Sequence, residues 1–68
     1  MLDKEKLAER LRMERARKKV TQAEVGEAIG SNAAVICNYE NGTHVPTLAN
    51  LAALARYYGT TTDYLIGK

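Results

Sequence analysis

Apolar residues recur along this chain at intervals of three and four, and not at two, so the pattern is helical from end to end. Leu7 and Leu11 form an i, i+4 pair in a first helix from about Asp3 to Arg17 or Lys18, with Asp3 at its N-cap. Thr21 and Glu24 make a capping box ahead of Val25 and Ile29, which share a face. They predict a second helix from Gln22 to Ile29, ended by Gly30. Asn32 caps a third, Ala33 to Asn41, with Ile36 and Tyr39 inward and Gly42 beyond its end. Thr47 caps a fourth, whose inner stripe is Leu48, Leu51, Ala52, Leu54, Ala55 and Tyr58, and Gly59 stops it. Thr61 caps a last short helix, Thr62 to Ile66. The long windows are rich in Ala, Leu, Glu, Lys and Arg, all good helix formers. The expected fold is all-α, a compact bundle of five helices.

Residues 21–42 are two short helices joined by a tight turn, a unit that many small proteins use to set a helix in the DNA major groove. Helical geometry divides the third helix into two faces. With Ala33 at 0° and about 100° per residue, Cys37 falls near 40°, Ala34 near 100° and Asn38 near 140°. Ile36 and Tyr39 fall near 300° and 240° by the same rule. If those two are buried, Ala33, Ala34, Cys37 and Asn38 face outward. That arc is small and uncharged, as suits a surface against which another body sits; small residues also simply favour helix.

The ordered set Thr21-Gln22-Ala23-Glu24, Gly30, Ile36, Tyr39-Glu40-Asn41-Gly42, Pro46-Thr47-Leu48, Leu51, Leu54-Ala55 and Asp63-Tyr64-Leu65-Ile66-Gly67 resembles the lambda repressor and Cro-like helix-turn-helix domain. The likeness runs from about Leu7 to Gly67. It implies a DNA-binding domain whose helix-turn-helix is formed by helices 2 and 3. It also implies base contacts from Ala33, Ala34 and Asn38, with Cys37 beside them. Alanine reads only by apolar contact, typically with a thymine methyl, whereas Asn38 can pair with adenine N6 and N7. The family often carries Gln or Ser at the first two of these positions, so here part of the specificity falls to DNA shape. The likeness makes Gln22 a phosphate contact, helped by the helix N-terminus. Asn41 and Thr43 are expected on the phosphate of the other strand, through side chains or backbone N–H groups. Thr21, Asn32, Arg12 and Arg15 complete the expected phosphate set, with Arg17 and Lys19 as further candidates. The likeness further implies a half-buried ion pair between Arg15 and Glu40; periodicity alone leaves open an exposed pair worth ~0–1 kcal/mol. Three residues depart from the family pattern: Ser31 at a usually apolar turn position, Gly26 where Ala is usual, and Lys19 where Gly is common.

Sixty-eight residues make one small domain, 1–68. Cys37 is the only cysteine and His44 the only histidine, so neither a disulfide nor a protein-only metal site within one chain is expected. No cofactor is expected either. No stretch approaches ~18 apolar residues, and the N-terminus lacks a signal-peptide core, so the expectation is a cytoplasmic protein. The net charge is only +2, yet eight of the ten basic side chains lie in residues 1–20. The run from Arg15 to Lys19 leads directly into the helix-turn-helix, where it can meet phosphates or simply keep a helix face solvated.

Two function classes compete. One is a sequence-specific transcriptional regulator of repressor, Cro, controller or antitoxin type. It would bind an inverted-repeat operator as a homodimer that forms mainly on DNA, with a seam around Tyr57, Tyr58, Tyr64 and Ile66. The other is a protein-binding module using Ala33, Ala34, Val35 and Cys37. An enzyme is not expected: Ser31 and His44 stand in no catalytic setting, and neither a Gly-rich phosphate loop nor a paired-carboxylate motif occurs.

Overall fold

A polar side chain starts every helix, and in each case it is one the pattern predicts. The computed structural model describes residues 2–68. Its helices are α1 (Lys4–Lys18), α2 (Gln22–Ala28), α3 (Ala33–Glu40), α4 (Leu48–Tyr58) and α5 (Thr62–Leu65). Asp3 accepts from the amides of Glu5 and Lys6 at 3.0 and 3.1 Å. The capping box closes in both directions, Thr21 Oγ1 accepting from Glu24 N at 3.1 Å and Glu24 Oε1 from Thr21 N at 2.9 Å. Asn32, Thr47 and Thr61 cap the other three. Each cap satisfies amides that no helical carbonyl can reach, typically worth ~1 kcal/mol. The ends differ from expectation by one residue: Ile29, Asn41 and Ile66 are C-caps rather than last helical residues.

The core draws one to three residues from each helix: Leu7 and Leu11 of α1, Val25 of α2, Ile36 and Tyr39 of α3, Leu54, Ala55 and Tyr58 of α4, and Leu65 of α5. α2 and α3 pack most extensively on each other, and α1 braces α3, α5 and α4. One residue of the expected inner stripe is not inside. Leu48 is 80% exposed. α4 packs on α1 and α5 through Leu54, Ala55 and Tyr58, in its second half, and its first residue has nothing to bury against.

Two of the departures from the family pattern have structural consequences. Lys19 ends α1 in the left-handed region, φ 61°, and its N–H closes on the carbonyls of Arg15 and Ala16. A glycine would adopt this backbone without strain, whereas an L side chain pays about 1 kcal/mol. Gly26 is buried in the angle between α2 and α3. A Cβ there would fall 2.7 Å from both Cα and O of Asn32, the residue that caps α3. The family's usual Ala would therefore push α3 away from α2.

Gly26→Ala should thus destabilise the fold by about 1–3 kcal/mol, as overpacking does, despite the gain in helix propensity. Urea denaturation monitored by circular dichroism checks the sign.

Candidate nucleic-acid interface

α3 turns two faces outward and inward as its periodicity requires. Ile36 and Tyr39 are buried, Ala34 and Cys37 are exposed, and Ala33 and Asn38 are half-buried. The arc of four is therefore present, with its centre more open than its edges. Asn38 holds the end of the helix with its backbone: its carbonyl accepts from the amides of Thr43 and His44 at 3.0 and 3.2 Å.

A carboxylate lies behind this face. Glu40, the last residue of α3, is only 4% exposed. Its Oε2 accepts from Arg15 Nε at 2.7 Å and its Oε1 from Gln22 Nε2 at 3.2 Å. Arg12 Nη1 donates to the Glu40 carbonyl. Arg15 also donates to the Val20 carbonyl at 3.1 Å. The ion pair suggested by the family likeness is thus present and half-buried, the Arg15 side chain being 27% exposed. The hydrogen bond to Glu40 raises the Arg15 pKa further, against a smaller opposing effect of burial, so the guanidinium stays charged. The family likeness implies a phosphate contact for Gln22, while a first-turn residue can also simply cover the turn; in the folded chain one of its two N–H groups donates to Glu40.

The remaining polar groups share a chemical bias. The Thr21 hydroxyl and the Asn32 and Asn41 carboxamides each use an oxygen to accept from backbone, from Glu24 N, Val35 N and Thr43 N. Capping with an acceptor leaves the O–H or NH₂ to donate outward. Phosphate oxygens only accept, so a surface of this kind suits them. Thr43 is a partial correction: its N–H is bonded to Asn38 O and to Asn41 Oδ1, which leaves its hydroxyl as the outward donor.

Other candidates are engaged elsewhere. Arg17 donates to Glu14, which is 7% exposed, and to the Tyr58 carbonyl at 3.2 Å, tying α1 to the end of α4. Sequence reasoning missed Glu14; its i, i+3 spacing to Arg17 was the available signal. The expected aromatic seam is also used internally. Tyr58 is buried, Tyr57 lies 4.9 Å below the Lys18 ammonium, and Tyr64 lies 4.5 Å below the Arg10 guanidinium.

A family model described as a helix-turn-helix domain matches residues 6–65. The chain belongs to this family. Its fold is the lambda repressor-like helix-turn-helix fold: it superposes with a TM-score of 0.87 on the P22 c2 repressor, in a crystal structure with synthetic operator 9T and Tl⁺, at 31% identity over 90% of this chain and 92% of that one. A solution structure of the SOS-response transcriptional repressor LexA from Eubacterium rectale also gives a TM-score of 0.87, at 27% identity over all of this chain and 74% of that one. Multiprotein-bridging factor 1c of Arabidopsis thaliana is 36% identical over 98% of the helix-turn-helix chain. The chain spans 47% of that relative's length. Among the described residues no helix is long and apolar enough to cross a membrane, and no cluster of His, Cys, Asp and Glu is placed to hold a metal ion.

Two outcomes are expected at this site. Arg15→Met should cost more stability than the double variant Arg15→Met/Glu40→Gln, about 1–3 kcal/mol against less, because the single change strands a buried carboxylate. Thermal melts of both singles and the double measure the coupling, and additive losses would mean an uncoupled pair. Burial, reinforced by the charge of Glu40, raises the Tyr58 phenol above its ordinary value of 10.0. A phenol whose pKa is raised by folding contributes stability fully below the unfolded value and loses it as pH rises. Above pH 10.0, Tyr58 should therefore remove up to ~1.4 kcal/mol of stability per pH unit, and Tyr58→Phe should flatten that part of the alkaline unfolding curve.

Proposed function

We propose that this chain is a sequence-specific DNA-binding transcriptional regulator, of repressor type, that sets α3 in the major groove of an operator half-site. The observation that carries the proposal is the uncharged outward arc of α3 bracketed by side chains with free donors. Likeness to the P22 c2 repressor, whose structure holds an operator, supports it. In this reading Asn38 supplies the hydrogen-bonded base contact, and Ala33, Ala34 and Cys37 supply apolar contacts. Gln22, Thr21, Asn32, Asn41, Thr43, Arg12 and Arg15 hold phosphates and fix register. One such module reads few base pairs, so two chains act together on an inverted repeat with half-sites about one helical turn, roughly 10 bp, apart. In this reading residues 1–68 form one helix-turn-helix domain that acts in the cytoplasm by binding DNA rather than by catalysis.

A second reading, a protein-binding module on the same fold, is favoured by the poverty of polar groups on α3 and by the likeness to a protein named as a bridging factor. A salt titration separates the two. Phosphate binding predicts affinity falling steeply with salt, whereas a protein-only module binds mixed-sequence DNA weakly at any salt.

Selection of bound duplexes from random DNA tests the proposal directly. The expected result is a preferred motif with a two-fold axis. Asn38→Ala should cost ~1–3 kcal/mol at one base step and relax the preference there, while Gln22→Ala should weaken all sequences about equally. An unchanged motif with Asn38→Ala would remove Asn38 from the readout.

A further inference from the structure

The loop between α3 and α4, residues 41–47, carries two of the expected phosphate holders, Asn41 and Thr43, both exposed. α3 packs chiefly on α2 and α1. Its polar tie to α4 is one bond: Asn50, half-buried on the first turn of α4, donates from Nδ2 to the Tyr39 hydroxyl at 3.0 Å. Among the described residues no other side-chain hydrogen bond joins these two helices. Tyr39 is a core residue only 7% exposed, so close packing fixes where its hydroxyl stands.

This bond closes the loop at its base. Within the loop, the Asn38 carbonyl accepts from Thr43 N and His44 N, and Asn41 Oδ1 accepts from Thr43 N at 2.9 Å. At the far end Thr47 Oγ1 accepts from Asn50 N at 3.1 Å. Asn50 therefore holds both sides: its backbone N–H binds the last residue of the loop, and its carboxamide binds the helix before the loop. The other bonds shape the loop near Asn38 but leave its distance to α4 open. Apolar contact between α3 and α4 in the core draws them together without direction, whereas a hydrogen bond has a narrow range of length and angle. Glu40 meanwhile ties α3 to α1 and α2, so the α4 side falls to its neighbour Tyr39.

We propose that Asn50 is a positioning residue for the phosphate-holding loop, acting through the Tyr39 hydroxyl. On the DNA-binding reading above, it keeps Asn41 and Thr43 at a set distance from α3, so that both meet the DNA backbone while α3 lies in the groove. A neutral donor gains from a phosphate oxygen only within hydrogen-bond range, so such contacts depend on placement. Losing the bond spreads the loop over several positions. It spares Gln22 and Arg15, which Glu40 holds instead.

Two variants remove the bond from opposite ends, Asn50→Ala and Tyr39→Phe. The first alters a half-buried side chain and the second keeps the buried ring, so both stay folded, which circular dichroism verifies. Without DNA, amide nitrogen relaxation of residues 42–45 should show order parameters falling from about 0.85 towards about 0.6 in both variants, with α2 unchanged. On DNA, ethylation of single phosphates should interfere with binding of the unaltered chain at two groups of phosphates. One is held by the loop; the other is the group that Gln22→Ala removes. In both variants interference at the loop group should fade while the Gln22 group persists, and affinity should fall roughly three- to ten-fold for all sequences alike. The double variant should lose no more than either single. A chain that was merely less stable would weaken both groups together. A loop that stays rigid in both variants, or interference that fades equally at both groups, would overturn the proposal. Absence of interference at every phosphate with the unaltered chain would sink the DNA-binding reading instead, and the relaxation measurement would still decide whether Asn50 holds the loop.

Discussion

The carboxylate of Glu40 is the group on which the geometry of the α3 face depends. A carboxylate out of water is costly unless donors surround it. Here the donors come from two other helices, Arg15 of α1 and Gln22 of α2, while Arg12 takes the backbone carbonyl of the same residue. Two helices remote in sequence from Glu40 are thereby fixed to the last turn of α3. A purely apolar contact would hold them together without setting their rotation, because dispersion and desolvation have no preferred direction. Hydrogen bonds to one anion do set it, since each has a narrow range of length and angle. The same arrangement collects the candidate phosphate donors around the candidate base-reading helix.

A 68-residue chain has little core to spare, and two backbone positions show how it meets that limit. Gly26 lets α2 and α3 approach more closely than a Cβ allows, which brings Val25 and Ile36 into one well-filled centre. Lys19 holds the turn before α2 in a left-handed conformation at some cost. A C-terminal clamp makes a compensating contribution: Arg10 donates to the Tyr64 carbonyl at 2.5 Å and covers its ring, pinning the end of the chain to α1.

What could be read in the sequence follows the range of each interaction. The five caps were legible because each is a side chain bonded to an amide two or three residues ahead, and local spacing is what a sequence displays. The inward choice of Ile36 and Tyr39 was legible from period alone. The Arg15–Glu40 pair needed the family likeness, since nothing local links residues 25 apart. Leu48 misled for the opposite reason: its spacing to Leu51 and Ala52 is correct for an inner stripe, but spacing cannot tell where a neighbouring helix stops. Gln22 and Arg17 were assigned outward because their inward partners, Glu40 and the Tyr58 carbonyl, are set only by tertiary packing. The likeness identified the candidate site, and the structure divided its polar atoms into those already engaged and those left to donate.

That division bears on how a helix so poor in polar groups would select a sequence. With Ala33 and Ala34 at its start, α3 offers one carboxamide, Asn38, for bidentate base contact. Apolar contacts discriminate weakly, so most of the affinity would reside in phosphate contacts, which carry no direct sequence information. Such a protein must gain selectivity from the spacing of two half-sites and from how readily the DNA between them deforms. Both depend on rigid placement of one α3 relative to the other. Within one chain that rigidity comes from Glu40 and the close α2–α3 packing at Gly26. Between two proposed copies it would come from whatever meets at the two-fold axis, so the stiffness of that meeting, more than the number of base contacts, would set the selectivity.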